Sequence, residues 1–453
     1  MTLLAHGIGG IRDLPVPAYL FFYSAAAVLV LSFVALAVLW RRPVLEEKAA
    51  GRPFRGAFSG ILLSAELRAA VQALAFLLLV AVWLAAAFGR SSAGANVAPY
   101  FVYVIFWVGT VVVVVVLGNV WSALNPWRAA ADAFTWLAER AGRGRDEPPF
   151  AYPERCGRWP AAVLLFAFAT LELAYIDPAS PRTLAIAIAL YSGITWFGML
   201  VFGRRDWLAN GEAFSVYFGL LSRIAPLAAE RGHIVVRAPL SALARVDRRP
   251  GTIAFVAVML GSVFFDGFSR TTFWQDRYYD LQIEFLDDPT AADILGTLMS
   301  TGGLLLAVLA VGFAFRAAAA ASAWVAEHRH SLADDFVWSL IPIALVYVVA
   351  HYFTLLVYEG QVAIRLASDP FGKGWDLFGT YDFQPNFTLL TPNLVWYVQV
   401  GALVAGHVAG LALAHDRAVD LFRSRRAAMW SQYPMLALMV AYTVGGMWVL
   451  SQG

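Results

Sequence analysis

Residues 336–361 read FVWSLIPIALVYVVAHYFTLLVYEGQ, and this stretch decides the fold. The run exceeds the roughly 20 apolar residues that a helix needs to cross a bilayer. Yet it carries His351 well inside. On a helix, Tyr347, His351, Thr354 and Tyr358 fall on one face. Hydrocarbon offers an imidazole no hydrogen-bond partner, so that face is expected to meet other helices or a water-filled cavity. Two uses fit it. One is a working site; the other is a His satisfied by a carbonyl or a neighbouring Tyr, holding two helices together.

The composition extends this reading to the whole chain. Of 453 residues, 60% are hydrophobic and only 14% charged, with a mean hydropathy of +0.65. Soluble domains carry about 25% charged residues, so the chain is expected to be an all-α polytopic membrane helix bundle. A net charge of +2 gives no reason to invoke nucleic acid. The single cysteine, Cys156, excludes an intrachain disulfide and any Cys-built zinc or iron–sulfur site. No Walker A motif, GxSxG elbow or strand-linked GxGxxG is present, which argues against an NTP-driven pump, an α/β-hydrolase and a dinucleotide enzyme. Arginine far outnumbers lysine and alanine is abundant, a bias of GC-rich bacterial genomes. The expected location is therefore a bacterial cytoplasmic (inner) membrane.

Apolar runs predict about ten transmembrane helices in one domain covering 1–453: 18–40, 61–88, 99–119, 159–176, 183–203, 251–266, 293–315, 336–358, 394–415 and 431–450. With these spans, 25 of the 33 lysines and arginines fall in the loops after the odd-numbered spans and seven on the other side. Positive charge marks the inner face, so both termini are expected outside. Residues 207–227 lie on the inner side and are interrupted by Asn210, Glu212 and Arg223, which predicts an interfacial or re-entrant helix. The outer stretches 267–292 and 359–393 are aromatic, acidic and rich in turn formers, and are expected to form lids or binding surfaces. Asp13–Pro17 is expected to form a stiff entry to the first helix. If the true mature start fell after Ala5, His6 would become an amino-terminal copper chelator.

Buried ionisable residues gather toward the outer side in this map. Glu172 lies near the outer end of span four, Asp266 closes span six, His351 lies about two turns below the outer end of span eight, and Glu359 tops that helix. His351, Glu172 and Asp266 are thus the candidate catalytic residues, and with His407 the candidate ligands of a divalent metal ion of unknown identity. His407 sits in span nine beside a GxxxG at Gly406 and Gly410. Gly401, Ala405 and Ala409 extend the small-residue seam, where another helix or a membrane-protein partner can approach closely. His415 and Asp416, at the inner boundary, are expected to be surface residues. Haem held by His351 and His407 is disfavoured because their depths differ by about two turns.

Several segments together carry a resemblance: AHGIGGIRDLPVP, GNVWSALNPW, DPASPRTL, NGEAFSVYFGLLSRIAPL, FDGFSRTTFW, HYFTLLVYEGQ, SDPFGKGWDLFGT and VAGHVAGLALAHD. They resemble a bacterial family of multi-pass membrane proteins commonly named fenitrothion hydrolase. The resemblance implies an integral-membrane organophosphate hydrolase that cleaves a phosphotriester P–O–aryl bond in a lipophilic small-molecule substrate. It supplies no catalytic residues to carry over. The expected function is metal-assisted hydrolysis of lipophilic (phospho)esters at an outward-facing intramembrane site. The rivals are a proton- or metal-coupled transporter or permease and a non-catalytic subunit of a membrane complex.

Overall fold

A computed structural model describes residues 18–54, 60, 63–142, 147–230 and 232–450. The proposed roles of His6 and Asp13–Pro17 lie outside the described residues. The main helices are α1 (Ala18–Leu39), α2 (Ala65–Phe88), α3 (Val97–Leu117), α4 (Trp159–Leu173), α5 (Pro181–Phe202) and α6 (Thr252–Phe268). Next come α7 (Thr272–Glu284), α8 (Pro289–Val325), α9 (Leu340–Ser368), α10 (Pro392–Leu421) and α11 (Tyr433–Leu450). Among the described residues, eight helices are long and apolar enough to cross a membrane, or nine if α6 and α7, bent by 74°, count as one broken span. The protein is a multi-pass membrane protein.

The loops after the odd-numbered predicted spans meet on one face. Strands β1 (Arg52–Pro53), β2 (Leu227–Glu230) and β3 (His233–Val236) form a small antiparallel sheet in the order β1-β3-β2, joining the first of these loops to the third. Asp335 accepts from Arg248 at 2.7 Å and Arg417 at 2.6 Å. Asp416 accepts from the Trp40 indole at 2.8 Å and the Leu45 amide at 3.1 Å, while His415 Nε2 lies 2.9 Å from the Trp40 carbonyl. His415 and Asp416 are therefore buried ties rather than surface residues, because the chain after α1 folds back over them.

Several helices overrun their predicted ends. A polar residue ends a helix only if the backbone loses its next partner, and here it does not. Helix α9 passes Glu359 and Arg365 and stops at Ser368, so Glu359 does not top it. Stretch 267–292 is mostly helix rather than loop. Thr271 caps α7, and α7 runs antiparallel beside the start of α8, where the Gln282 amide donates to the Ala292 carbonyl at 3.3 Å. At 37 residues, α8 is about 56 Å long, against a hydrocarbon core of about 30 Å.

Residues 207–227 do not form one interfacial helix. Two short helices, Arg204–Asn210 and Ala213–Leu221, make a hairpin that ends in β2. Its first limb runs back along α5: the Trp207 ring fills the space at Gly198, and Glu212 at the tip accepts from the Tyr191 hydroxyl. Glu212 also accepts from the Phe214 and Ser215 amides, which caps the second helix. A carboxylate that breaks the apolar run is thus the residue that lets the hairpin turn.

The glycine seam of α10 is filled within the chain. A Cβ at Gly410 would stand 2.7 Å from the Ser339 carbonyl oxygen, and one at Gly406 would meet Val346. No surface remains there for a partner helix. Gly401 and Ala405 are exposed, off the seam. Gly410→Ala is expected to lower the unfolding temperature in detergent by several degrees, a cost of about 1–3 kcal/mol for overpacking. Gly401→Ala, with open space around it, should leave the melt unchanged.

Candidate functional site

The centre is built where α6 breaks. Asp266 stands one turn before the bend, and the turn through Ser269 brings Arg270 back over it, with Nη2 donating to Asp266 Oδ1 at 2.9 Å. Asp266 Oδ2 meets His351 Nε2 from α9. Both Asp266 and His351 are only 3% exposed. A carboxylate facing a guanidinium accepts only, so Nε2 carries the imidazole proton and Nδ1 the lone pair. The 3.4 Å approach of Arg270 Nη2 to the same Nε2 is then a close neighbour, not a second bond.

Glu172, at the end of α4, joins through an intermediary. Its Oε1 accepts from the Tyr352 hydroxyl at 3.2 Å, and the Tyr352 ring packs edge-on against His351 with centroids 4.8 Å apart. Glu172 and Asp266 lie close enough to interact electrostatically, and Tyr103 and Tyr217 are also within reach of Glu172. Tyr217 comes from the hairpin and stacks on Trp107 at 4.7 Å. The Tyr217 and Thr354 hydroxyls are buried without a hydrogen-bond partner among the described residues. Such atoms mark places where water or a ligand completes the bonding.

His407 stands apart. Its Nδ1 faces its own helix at the Leu403 carbonyl, 2.8 Å away, and its ring packs against Tyr347. Tyr347 donates to the Tyr442 carbonyl at 2.5 Å, and Tyr358 to the Leu390 carbonyl at 3.3 Å, so these two members of the His351 stripe tie helices and loops.

A metal fits this arrangement poorly. Among the described residues no three His, Cys, Asp or Glu side chains gather closely enough to hold an ion. Asp266 already offers one oxygen to Arg270 and the other to His351, while Glu172 turns to Tyr352. The cation at this site is a guanidinium. Arg270 and Tyr352 were missing from the sequence reading. The available signal was the four-residue spacing of Asp266 and Arg270, which places them on one helical face.

Comparison with protein-family models, curated proteins and solved structures finds no match. The reading of the site therefore stands on its geometry.

Arg270→Gln is expected to cost about 3–5 kcal/mol, since it strips a buried carboxylate of its cation. Asp266→Asn combined with Arg270→Gln should recover most of that loss in a detergent melt. Additive losses would show that the two groups are not coupled.

Proposed function

We propose a ten-pass membrane protein with the arginine face inward and both termini outward, working as a hydrolase of lipophilic esters at the Asp266–His351–Arg270 centre. Joining of the arginine-rich loops on one face supports the map. A Cβ at Gly267, beside Asp266, would stand 2.0 Å from Val449, so α11 reaches from the arginine face to the level of the site. Counting the bent α6–α7 pair and α11 with the eight long apolar helices supports ten crossings, and an even count returns the C-terminus to the starting side. The native Cys156 provides a test. A membrane-impermeant maleimide should leave Cys156 unlabelled in intact cells and should label Lys373→Cys in a Cys156→Ser background. The reverse pattern inverts the orientation.

One observation carries the chemistry: a buried imidazole whose Nε2–H is bound by a carboxylate that is itself gripped by a guanidinium. The carboxylate fixes the tautomer and leaves Nδ1 as the base. A water gives its proton to Nδ1, and its oxygen attacks the phosphorus of an aryl phosphotriester. Arg270 steadies the phosphoryl oxygen as charge builds there. The aryloxide then leaves and takes the proton from the imidazolium. An apolar triester partitions into the bilayer and reaches the centre sideways. The resemblance of segments to the fenitrothion hydrolase family supports the same substrate class.

In proteoliposomes, His351→Ala should lower release of nitrophenol from an aryl phosphotriester about 100-fold or more. Glu172→Gln should lower it less. Full turnover in His351→Ala removes the assignment.

A second reading has its own observation. The Glu172–Tyr352 pair carries the polar array onto a third helix, and His407 Nε2 is buried deep in the bundle with no partner. Proton-coupled transport predicts uptake driven by a pH gradient and lost in His351→Ala and His407→Ala alike, with no hydrolysis.

A further inference from the structure

The end of the bundle opposite Asp266 encloses a cavity of about 570 Å³, bounded by the hairpin, by residues 119–128 and by the segment before α6. Six arginines line it: Arg128, Arg158, Arg204, Arg205, Arg223 and Arg249. Two carboxylates answer them. Asp247, in the lining, is shared by Arg158 at 3.0 Å and Arg249 at 2.9 Å. Asp132 is shared by Arg128 at 3.6 Å and Arg204. The arginines outnumber the acids even when both are counted.

The two remaining arginines show the excess most clearly. Arg223 donates to the Ala242 and Arg245 carbonyls, lies 4.4 Å from the centre of the Trp338 ring and makes no ion pair among the described residues, with Asp247 acting on it only from a distance. Burial, then the neighbouring Arg158, pulls its guanidinium down to about 10, still cationic at neutral pH. Arg205 is exposed at the rim and makes no ion pair among the described residues. Among the described residues, the buried side-chain atoms here without a hydrogen bond are the Trp121 Nε1, the Arg158 Nε and the Arg128 Nε, the last facing Asp132 at 3.6 Å. All three are donors. Trp121 is 4% exposed and lines the cavity, so its free donor is built into the wall.

We propose that this cavity is a binding site for a phosphate group, presented either by an anionic lipid headgroup or by a soluble phosphate ester. A tetrahedral phosphate offers acceptors in several directions, which suits planar guanidinium forks converging from different elements. The volume lies within the range of small-ligand sites, about 300–1,000 Å³. Its position among the arginine-rich loops is where inner-leaflet headgroups lie, and basic pockets between membrane helices take phosphate-bearing headgroups. The site shares no residue with the ester centre. Thr252, which the Arg158 guanidinium touches at 3.1 Å, and Asp266 are separated by about 21 Å along α6.

The test uses the full chain in neutral detergent, stripped of anionic lipid. Unfolding temperature is read with inorganic phosphate, with phosphatidylglycerol in mixed micelles, and with phosphatidylcholine or sodium chloride at matched concentration and ionic strength. Wild type should gain several degrees over the controls. Arg205→Glu, at the exposed rim, should weaken the response at least tenfold in midpoint concentration while leaving ester hydrolysis unchanged. Arg223→Gln should abolish the response if it folds. A response to phosphatidylglycerol alone assigns the site to the lipid headgroup, and one to inorganic phosphate alone to a soluble ester; either supports the proposal. No gain over the controls, or an undiminished gain in Arg205→Glu, overturns it.

Discussion

An ionisable side chain taken out of water must bring its own counter-charge, and the arrangement around Asp266 follows from that requirement. Moving a carboxylate into a low-dielectric interior costs several kcal/mol unless paired and hydrogen-bonded partners offset it. Arg270 meets the demand from four residues further along, just past the end of α6 where the chain turns toward α7. A helix continued straight through 269–271 would forfeit the 74° bend, the Thr271 cap and the start of α7 together. The break therefore serves the electrostatics and the topology at once. It keeps Arg270 at the site and sends α7 back along α8.

The two ends of the bundle solve different problems. On the arginine face the loops are cross-linked by the sheet, by Asp335, which gathers donors from two segments, and by Asp416, which holds the segment after α1. Such ties fix loop positions and leave like charges close together. The excess around the hairpin cavity is one consequence. At the other end, α9 projects ten residues beyond its expected limit, and the site lies at the foot of this projection. The largely buried α6 connects the two regions, with Thr252 touching Arg158 at one end and Asp266 bound to His351 at the other.

Eight of the ten predicted crossings, nine with the bent α6–α7 pair, were legible in the sequence because hydropathy is a property of the chain in one dimension. The predicted 18–40 run lies within one residue of α1 at either end. Helix ends were less legible. Glu359 and Arg365 look like stops, yet a helix may carry charges once it leaves hydrocarbon, and nothing local says where that happens. The site was half legible. His351 and Asp266 were found because both are costly in lipid, whereas Arg270 was counted only as an outer-loop charge. His415 and Asp416 were misread for a related reason: cheapness at the interface does not reveal that another segment will fold over them. The six cavity arginines served as markers of orientation, and only folding shows that they share a space.

The choice between a metal and an arginine beside Asp266 and His351 comes down to how many donors are uncommitted. A divalent ion needs at least three ligands with lone pairs directed at one point. Asp266 has spent both oxygens, Glu172 is turned toward Tyr352, and His407, whose Nδ1 faces Leu403, stands apart on α10 and gathers with no two of the others among the described residues. A guanidinium asks less of its surroundings. It is part of the chain, stays charged at any working pH, and steadies a developing phosphoryl charge through a planar fork. With Arg270 in place, one carboxylate serves two ends: it neutralises the cation and orients the base. That economy suits a site in hydrocarbon, where every additional charge would need a partner of its own.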